Sequence, residues 1–385
     1  MKYSNLNEEK KLWKKGYDFV VGLDEAGRGC EKPDAEILTN HGWKFYVDVN
    51  LKDKVLSYNN EGYLEWQKIE KIVEKDFNGN LIELKNRSID IVVTPEHYFS
   101  VLRRVFTREK KHKNKLKLVG YKLRPERKIV GKLDKNDFIP RGGKWIGISE
   151  ENFILPAFNK NKEKKIDITI WVAFLGIFLS EGSVYYEKKR GSYRITISQS
   201  RDSSKEKYSK ILKLLKKMPF HFNDLNNGFN CYSQQLYCYL EKLGDKYSKF
   251  IPVNFKNLES KILDILIEWM LLGDGSYYIG KNRKKVSTYY TVSNKLRDDF
   301  EEILLKAGWT YHTVKRLAKD RYINGRLIKK ENQRGCFEIR MRRNNKAQIK
   351  SLHKKEISYN GKVFCLQLPK YHNFFVRRNG TGYFT

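Results

Sequence analysis

Two short stretches of one design sit 93 residues apart: FLGIFLSEG, Phe174 to Gly182, and IEWMLLGDG, Ile267 to Gly275. Each is an apolar run that ends in a small residue, an acid and a glycine. The run from Trp171 to Leu179 is far too short to span a bilayer, which needs ~20 residues. It reads as a buried helix. Gly176 and Ser180 lie four apart and so face the same way. Small residues at that spacing let a second helix approach closely. Gly182 suits the left-handed position that ends a helix. Glu181 then falls in the last turn, where the helix dipole is negative and a carboxylate is disfavoured by ~0.3–1 kcal/mol. A bare carboxylate is poorly placed there, whereas one facing a divalent cation is well placed. Asp274 occupies the same position in the second stretch.

The chain after each stretch is also repeated. After Gly182 comes SVYYEKKRGSYRITISQS, two strand-like runs around a basic turn, and then a helical stretch from Lys207 to Met218. After Gly275 comes SYYIGKNRKKVSTYYTVSN, built the same way, and then a helical stretch from Leu296 to Ala307. Two such helices packed face to face bring both acids to one end of a shared seam. From roughly Phe153 to Lys315 the chain resembles the LAGLIDADG homing endonucleases in their single-chain, two-repeat form. The resemblance implies cleavage of double-stranded DNA by a monomer that is a pseudo-dimer of internal repeats. It implies that Glu181 and Asp274 hold Mg²⁺ (or Mn²⁺) at the scissile phosphate. The hairpins would lie in the major groove, which admits a two-stranded ribbon, with Arg194, Lys284 and Lys285 as candidates for DNA contact. In one departure, Trp269 stands where the first stretch has Gly176, and its bulk is expected to hold the helices apart. The plainer alternative is two buried amphipathic helices ending in ordinary glycine caps.

Composition bears on the partner. The 385 residues carry a net charge of +32. Nucleic acid is the default partner for such a balance. A membrane surface is the rival, but no long basic amphipathic helix stands out, and no membrane partner is expected. The polar, charged opening from Met1 to Lys15 is no signal peptide. Five cysteines without a close pairing motif fit a reducing compartment, and a cytoplasmic location is expected.

The flanks carry two further motifs. LWKKGYDFVVGLDEAGRG runs a short apolar strand, Phe19 to Leu23, into Asp24, Glu25 and the turn Gly27-Arg28-Gly29. Adjacent acids entering a glycine-arginine turn suit a metal-phosphate site. This stretch resembles the start of ribonuclease HII, which implies that Asp24 and Glu25 are metal ligands. At Cys30 that pattern breaks. CEKPDAEILTNHGWKFYVDVNLKDKVL resembles the opening of an intein, a first cysteine followed by short strands. NRSIDIVVTPEHYFSV then gives a strand, Ile89 to Val93, followed by Thr94 and His97. KVFCLQLPKYHNFFVRRNG, Lys362 to Gly380, resembles an intein's closing block. By that resemblance the Cys30 thiol attacks the Gly29 carbonyl, assisted by Thr94 and His97, and His372 assists the C-terminal step. Cys365 is either a catalytic relay or a buried thiol. The family's terminal asparagine would follow Thr385, so cleavage without ligation is expected of residues 1–385.

The expected fold is α+β. An all-β, horseshoe-shaped Hint splicing domain is split by an inserted endonuclease domain of two pseudo-symmetric helix, hairpin, helix repeats, behind a short ribonuclease H-like flank. The expected divisions are a ribonuclease HII fragment at 1–29, splicing domain at 30–125, a basic linker at 126–152, endonuclease at 153–335 and splicing domain again at 336–385. Three functions compete. The first is a self-processing insert that carries a DNA endonuclease. The others are a ribonuclease acting on RNA–DNA hybrids and a DNA-binding protein with degenerate active sites.

Overall fold

The computed structural model describes residues 7–17, 29–108, 116–124, 127–279, 285–323, 326–332, 334–350 and 353–385. The architecture is mixed α+β and mostly strands. The helices are α1 (Asn7–Trp13), α2 (Ile168–Glu181), α3 (Lys205–Leu215), α4 (Gln234–Leu240), α5 (Val253–Lys256), α6 (Ser260–Asp274) and α7 (Asn294–Lys306). No helix among the described residues is long and apolar enough to cross a membrane.

The largest core forms around α2. Asp167 caps its first turn, accepting from the Thr169 and Ile170 amides. From Trp171 to Leu179 every residue is buried, the pattern of a helix covered on all sides. Trp171 stacks on Phe153 with ring centroids 4.0 Å apart. Full burial of each large apolar side chain contributes ~1.5–3 kcal/mol. α6 packs along α2, and α7 closes the other flank with Phe300, Ile303 and Leu304 buried. The helix, hairpin, helix order occurs after both acid-terminated helices. The hairpin after α2 is Gly182–Glu187 with Ser192–Ser198, leading to α3. The hairpin after α6 is Gly275–Ile279 with Lys285–Thr291, leading to α7.

The two hairpins join different sheets. The first belongs to a four-stranded sheet with Gly228–Tyr232 and Phe222–Leu225. The second is one edge of a ten-stranded sheet. That sheet continues through Cys336–Arg342, Thr310–Arg316, Thr381–Phe384, Phe375–Arg378, Glu36–Thr39, Lys54–Tyr58 and Leu64–Lys68, with Gly42–Phe45 paired to Glu36–Thr39 off this path. A second core lies beneath its far end, with Ile37, Val55, Leu84, Val93 and Phe364 fully buried. A long ribbon pairs Lys71–Lys85 with Lys354–Gln367, from Lys71↔Gln367 to Leu84↔Lys354.

Two divisions made on sequence look different here. The stretch 126–152, expected as a basic linker, is woven into the second core. Val130, Leu133 and Ile139 are buried there, and Phe138–Pro140 pairs with both Leu102–Arg108 and Lys346–Gln348. Charged residues of both signs are interspersed among its apolar positions and obscure the buried ones. The division at 335/336 falls at the start of Cys336–Arg342, which pairs on one side with Lys285–Thr291 and on the other with Thr310–Arg316.

Candidate functional site

α2 and α6 each end in an acid, and the chain then turns straight into a strand. Gly182 and Gly275 are extended there, with φ of −87° and −105°, so the expectation of a left-handed cap is corrected. The glycines are needed for space. A Cβ on Gly182 would stand 2.2 Å from Phe178 Cδ2 and 2.5 Å from Phe178 O, and one on Gly275 would stand 2.2 Å from Leu271 O. The chain doubles back over the preceding turn, which leaves Glu181 and Asp274 at the lip of the seam.

The helices meet at backbone distance. A Cβ on Gly176 would lie 2.9 Å from Leu266 O and from Trp269 Cβ, and one on Gly273 would lie 2.2 Å from Ser180 Cβ. Trp269 therefore does not hold them apart. Its Cβ rests on Gly176 and its indole lies beside Lys210, whose Nζ is 5.3 Å from the ring centroid.

Two lysines complete this end. Lys207 Nζ donates to Glu181 Oε1 at 2.8 Å and to Gly273 O at 3.1 Å. Lys249, 5% exposed, donates to Phe178 O, Leu179 O and Gly182 O at 2.8, 3.0 and 2.7 Å. Each helix thus has a cation at the negative end of its dipole. Burial pushes Lys249 down to about 8, against the pull of Asp274 and Glu181. Burial, and then the Glu181 charge, pushes the Asp274 carboxyl up to about 6. Asp274 also opens to solvent at the mouth of the seam, and water there moderates the effect. Neither lysine was singled out from sequence, since nothing marks them among 77 Lys and Arg residues.

Around the seam, Arg194 sits opposite Tyr185 in the first hairpin, its guanidinium 5.2 Å from that ring. It alternates with the buried Ile195 and Ile197, so it projects from the sheet face away from α2. Lys285 opens the strand Lys285–Thr291. Lys284, Asp24 and Glu25 lie outside the described residues.

A second cluster forms at Gly29–Cys30. The Glu31 amide donates to Phe364 O at 2.8 Å, and the Phe364 amide donates to Glu31 O at 3.0 Å. Glu31 also bridges to Val93. The segment starting at Cys30 is thus laid between the strands Asp90–Val93 and Lys354–Gln367, and its antiparallel register sets Cys30 across from Cys365. The Cys30 amide donates to Thr94 Oγ1 at 2.9 Å. The Thr94 amide donates to Cys30 O, and the His97 amide to Thr94 O, both at 3.0 Å. Gly29 has φ +107°, and a Cβ there would stand 2.2 Å from His97 Cα, so only glycine fits before the cysteine. Burial first, and then Arg127, push the His97 ring down to about 3 against an opposing interaction with the Gly29 backbone, and its buried Nδ1 makes no hydrogen bond of good geometry. A hydrogen bond to Cys365 and then burial hold the Cys30 thiol high, and the same hydrogen bond lowers the Cys365 thiol.

The structure thus brings together Cys30, Thr94, His97 and Cys365. His372 is exposed, in a turn with φ +45°. Among the described residues it makes no side-chain hydrogen bond to that cluster. Its neighbour Asn373 is the buried one, its side-chain amide paired with the Tyr58 backbone at 2.8 and 2.9 Å.

No protein-family model matches the chain. Curated proteins similar to it include the following three. The DNA-directed RNA polymerase subunit beta C-terminal section of Stigeoclonium helveticum is 26% identical over 421 residues, covering 96% of this chain and 38% of that protein. The ATP-dependent Clp protease proteolytic subunit of Chlamydomonas moewusii is 23% identical, covering 73% and 28%. The ribonucleoside-diphosphate reductase subunit beta of Aquifex aeolicus is 25% identical, covering 90% and 48%. The chain therefore spans less than half the length of each of these relatives. Similar solved structures include the homing endonuclease I-DmoI in complex with DNA and Ca, at 14% identity, TM-score 0.30 and coverage of 46% of this chain and 83% of that one. An AceL NrdHF class 3 split intein variant is similar at 11% identity, TM-score 0.21 and coverage of 36% and 71%.

Proposed function

We propose that this chain is a self-processing insert that carries a site-specific, double-stranded DNA endonuclease. The observation that carries the nuclease is the meeting of Glu181 and Asp274 at one end of two helices packed to backbone contact. Asp274 is pushed up by burial and then by its neighbour's charge, with Lys249 and Lys207 opposing, and two carboxylates facing each other at the lip of the seam fit a divalent cation. Glu181 and Asp274 would hold Mg²⁺ or Mn²⁺, a cation of a kind bound by one or two carboxylates plus substrate oxygens. Such an ion supplies an activated water and charge for the leaving oxygen. The chain's own contribution is positional. Lys249 fixes the end of α2, and Lys207 ties Glu181 to the end of α6. Basic hairpins on either side would follow the phosphates, with Arg194, Lys284 and Lys285 among the contacts.

The relatives support an insert. A polymerase subunit, a protease subunit and a reductase subunit have unrelated chemistries. Each aligns with most of this chain over a minority of its own length. A segment shared by such hosts is a poor carrier of any one host's activity. The residues DEAGRG ahead of Cys30 point to a ribonuclease HII host, and the DNA target would be that gene without the insert. We assign processing to the Gly29–Cys30 junction. The Cys30 sulfur attacks the Gly29 carbonyl carbon, the C–S bond forms, the C–N bond breaks, and the thiol proton ends on the Cys30 nitrogen. Thr94 fixes the Cys30 amide.

Glu181→Gln and Asp274→Asn test the nuclease. Each should abolish double-strand cutting in Mg²⁺, and binding at fixed salt should persist because phosphate contacts dominate affinity. Undiminished cutting by the double variant would remove the assignment.

A further inference from the structure

The motif at the junction leaves one buried acid unused. Glu31 comes directly after the cysteine and is 1% exposed. Its Oε2 accepts from Tyr383 Oη at 3.0 Å, and its Oε1 accepts from Thr385 Oγ1. Thr385 is itself buried, its amide held by Phe374 O at 3.0 Å. The same Thr385 hydroxyl lies 2.9 Å from His97 Nε2. Carboxyl, hydroxyl and imidazole therefore form one chain, and the far ring nitrogen, Nδ1, is buried beside Gly29 with no hydrogen bond of good geometry.

We propose that Glu31, acting through the Thr385 hydroxyl, sets which ring nitrogen of His97 carries the proton at the Gly29–Cys30 junction. A hydroxyl has one proton to donate. With Glu31 ionised, Thr385 donates to the carboxylate and must accept from His97, so Nε2 carries the ring proton and Nδ1 is a free base. With Glu31 protonated, the carboxyl donates to Thr385 and Thr385 donates to Nε2. The ring proton then sits on Nδ1, facing the Gly29 backbone. The relay has the same number of hydrogen bonds in both states, which differ in the direction of those bonds and by the one proton on Glu31.

The surroundings place the change within reach. Burial raises the Glu31 carboxyl to about 7, with Asp34 pushing the same way and Thr385, Tyr383 and Arg378 opposing. His97, lowered to about 3 by burial and by Arg127, stays neutral throughout. A transition near neutral pH is therefore a change of tautomer and not of ring charge. Cys30 faces Cys365, Lys75 and Glu96, and the Cys365 thiol is lowered by its hydrogen bond to Cys30 and by Arg127, against burial and Glu31. Glu31 and Thr385 are positioning residues, because neither touches the reacting atoms.

The role rests on the Gly29–Cys30 junction being the processed one, and the test separates the two claims. Nitrogen NMR of ¹⁵N-histidine-labelled full-length chain should show His97 passing from the Nδ1–H to the Nε2–H tautomer as pH rises through about 7. Glu31→Gln, which keeps an acceptor and loses the titration, should hold one tautomer across that range. Thr385→Val should uncouple the ring, and Thr385→Ser should restore the change. In parallel, the rate at which dithiothreitol releases residues 1–29 should carry an inflection near pH 7 that Glu31→Gln removes. A purely structural Glu31 would lower that rate evenly at every pH. A tautomer change without release would sustain the relay and remove the junction reading. An unchanged tautomer from pH 6 to pH 8, or the same change in Glu31→Gln, would overturn the relay.

Discussion

At the end of α6, the folded chain holds a proton on Asp274 more tightly than the unfolded chain does. Its value rises from 3.8 to about 6, through burial and the charge of Glu181. A raised acid gives folding an extra proton between those values, so stability falls as pH climbs through them. The penalty of charging Asp274 is absent below about pH 4 and complete above about pH 6. Asp274→Asn should therefore raise the melting temperature in metal-free buffer at pH 7.5, and the gain should fade towards pH 4. Thermal melts at the two pH values check this, and equal gains at both would show that folding does not raise the Asp274 carboxyl. These acids were legible in the sequence because the same acid-glycine ending occurs twice. Lys249 and Lys207 were not, because a lysine that reaches a helix end from a loop or another helix leaves no local pattern. Glu31 was missed for a related reason, since its partners Tyr383 and Thr385 lie at the other end of the chain.

At the scale of elements, the turn from helix to strand is what aims the acids. Glycine at a helix end satisfies either a left-handed φ or a close approach, and sequence does not separate the two. Here it is the approach, so the cost of a methyl group is steric. Gly182→Ala or Gly275→Ala should destabilise by about 1–3 kcal/mol, as overpacking does. Each should also weaken metal-dependent cutting, because relief of the clash shifts the neighbouring acid. Urea unfolding and cleavage assays on both variants check this, and wild-type stability in either would contradict the close approach seen at Phe178 and Leu271. The hairpins and their helices were legible from alternation and apolar period. The stretch 126–152 was not, because charged residues of both signs separate Val130, Leu133 and Ile139, which pack inward against strands distant in sequence.

Across the whole molecule, one sheet runs from the second hairpin into the region around Cys30. It does so where Thr310–Arg316 meets Thr381–Phe384, with His312 opposite Thr381. The join is reinforced by Arg377, 4% exposed, which pairs with Glu36 at 2.7 Å and with Asp298 and Glu301 on α7 at 2.5 and 2.7 Å. Removing one member of such a buried network costs ~3–5 kcal/mol. Pairing between strands so distant in sequence has no local signature, which is why this shared sheet was not legible.

The most direct measurement of the proposed function is digestion of two plasmids by the purified chain in Mg²⁺. One carries an uninterrupted ribonuclease HII gene, and the other carries that gene interrupted by the coding sequence for residues 30–385. A single double-strand break in the first plasmid, none in the second, and none in either with Glu181→Gln is the expected result. An intact first plasmid, or equal cutting of both, would contradict it.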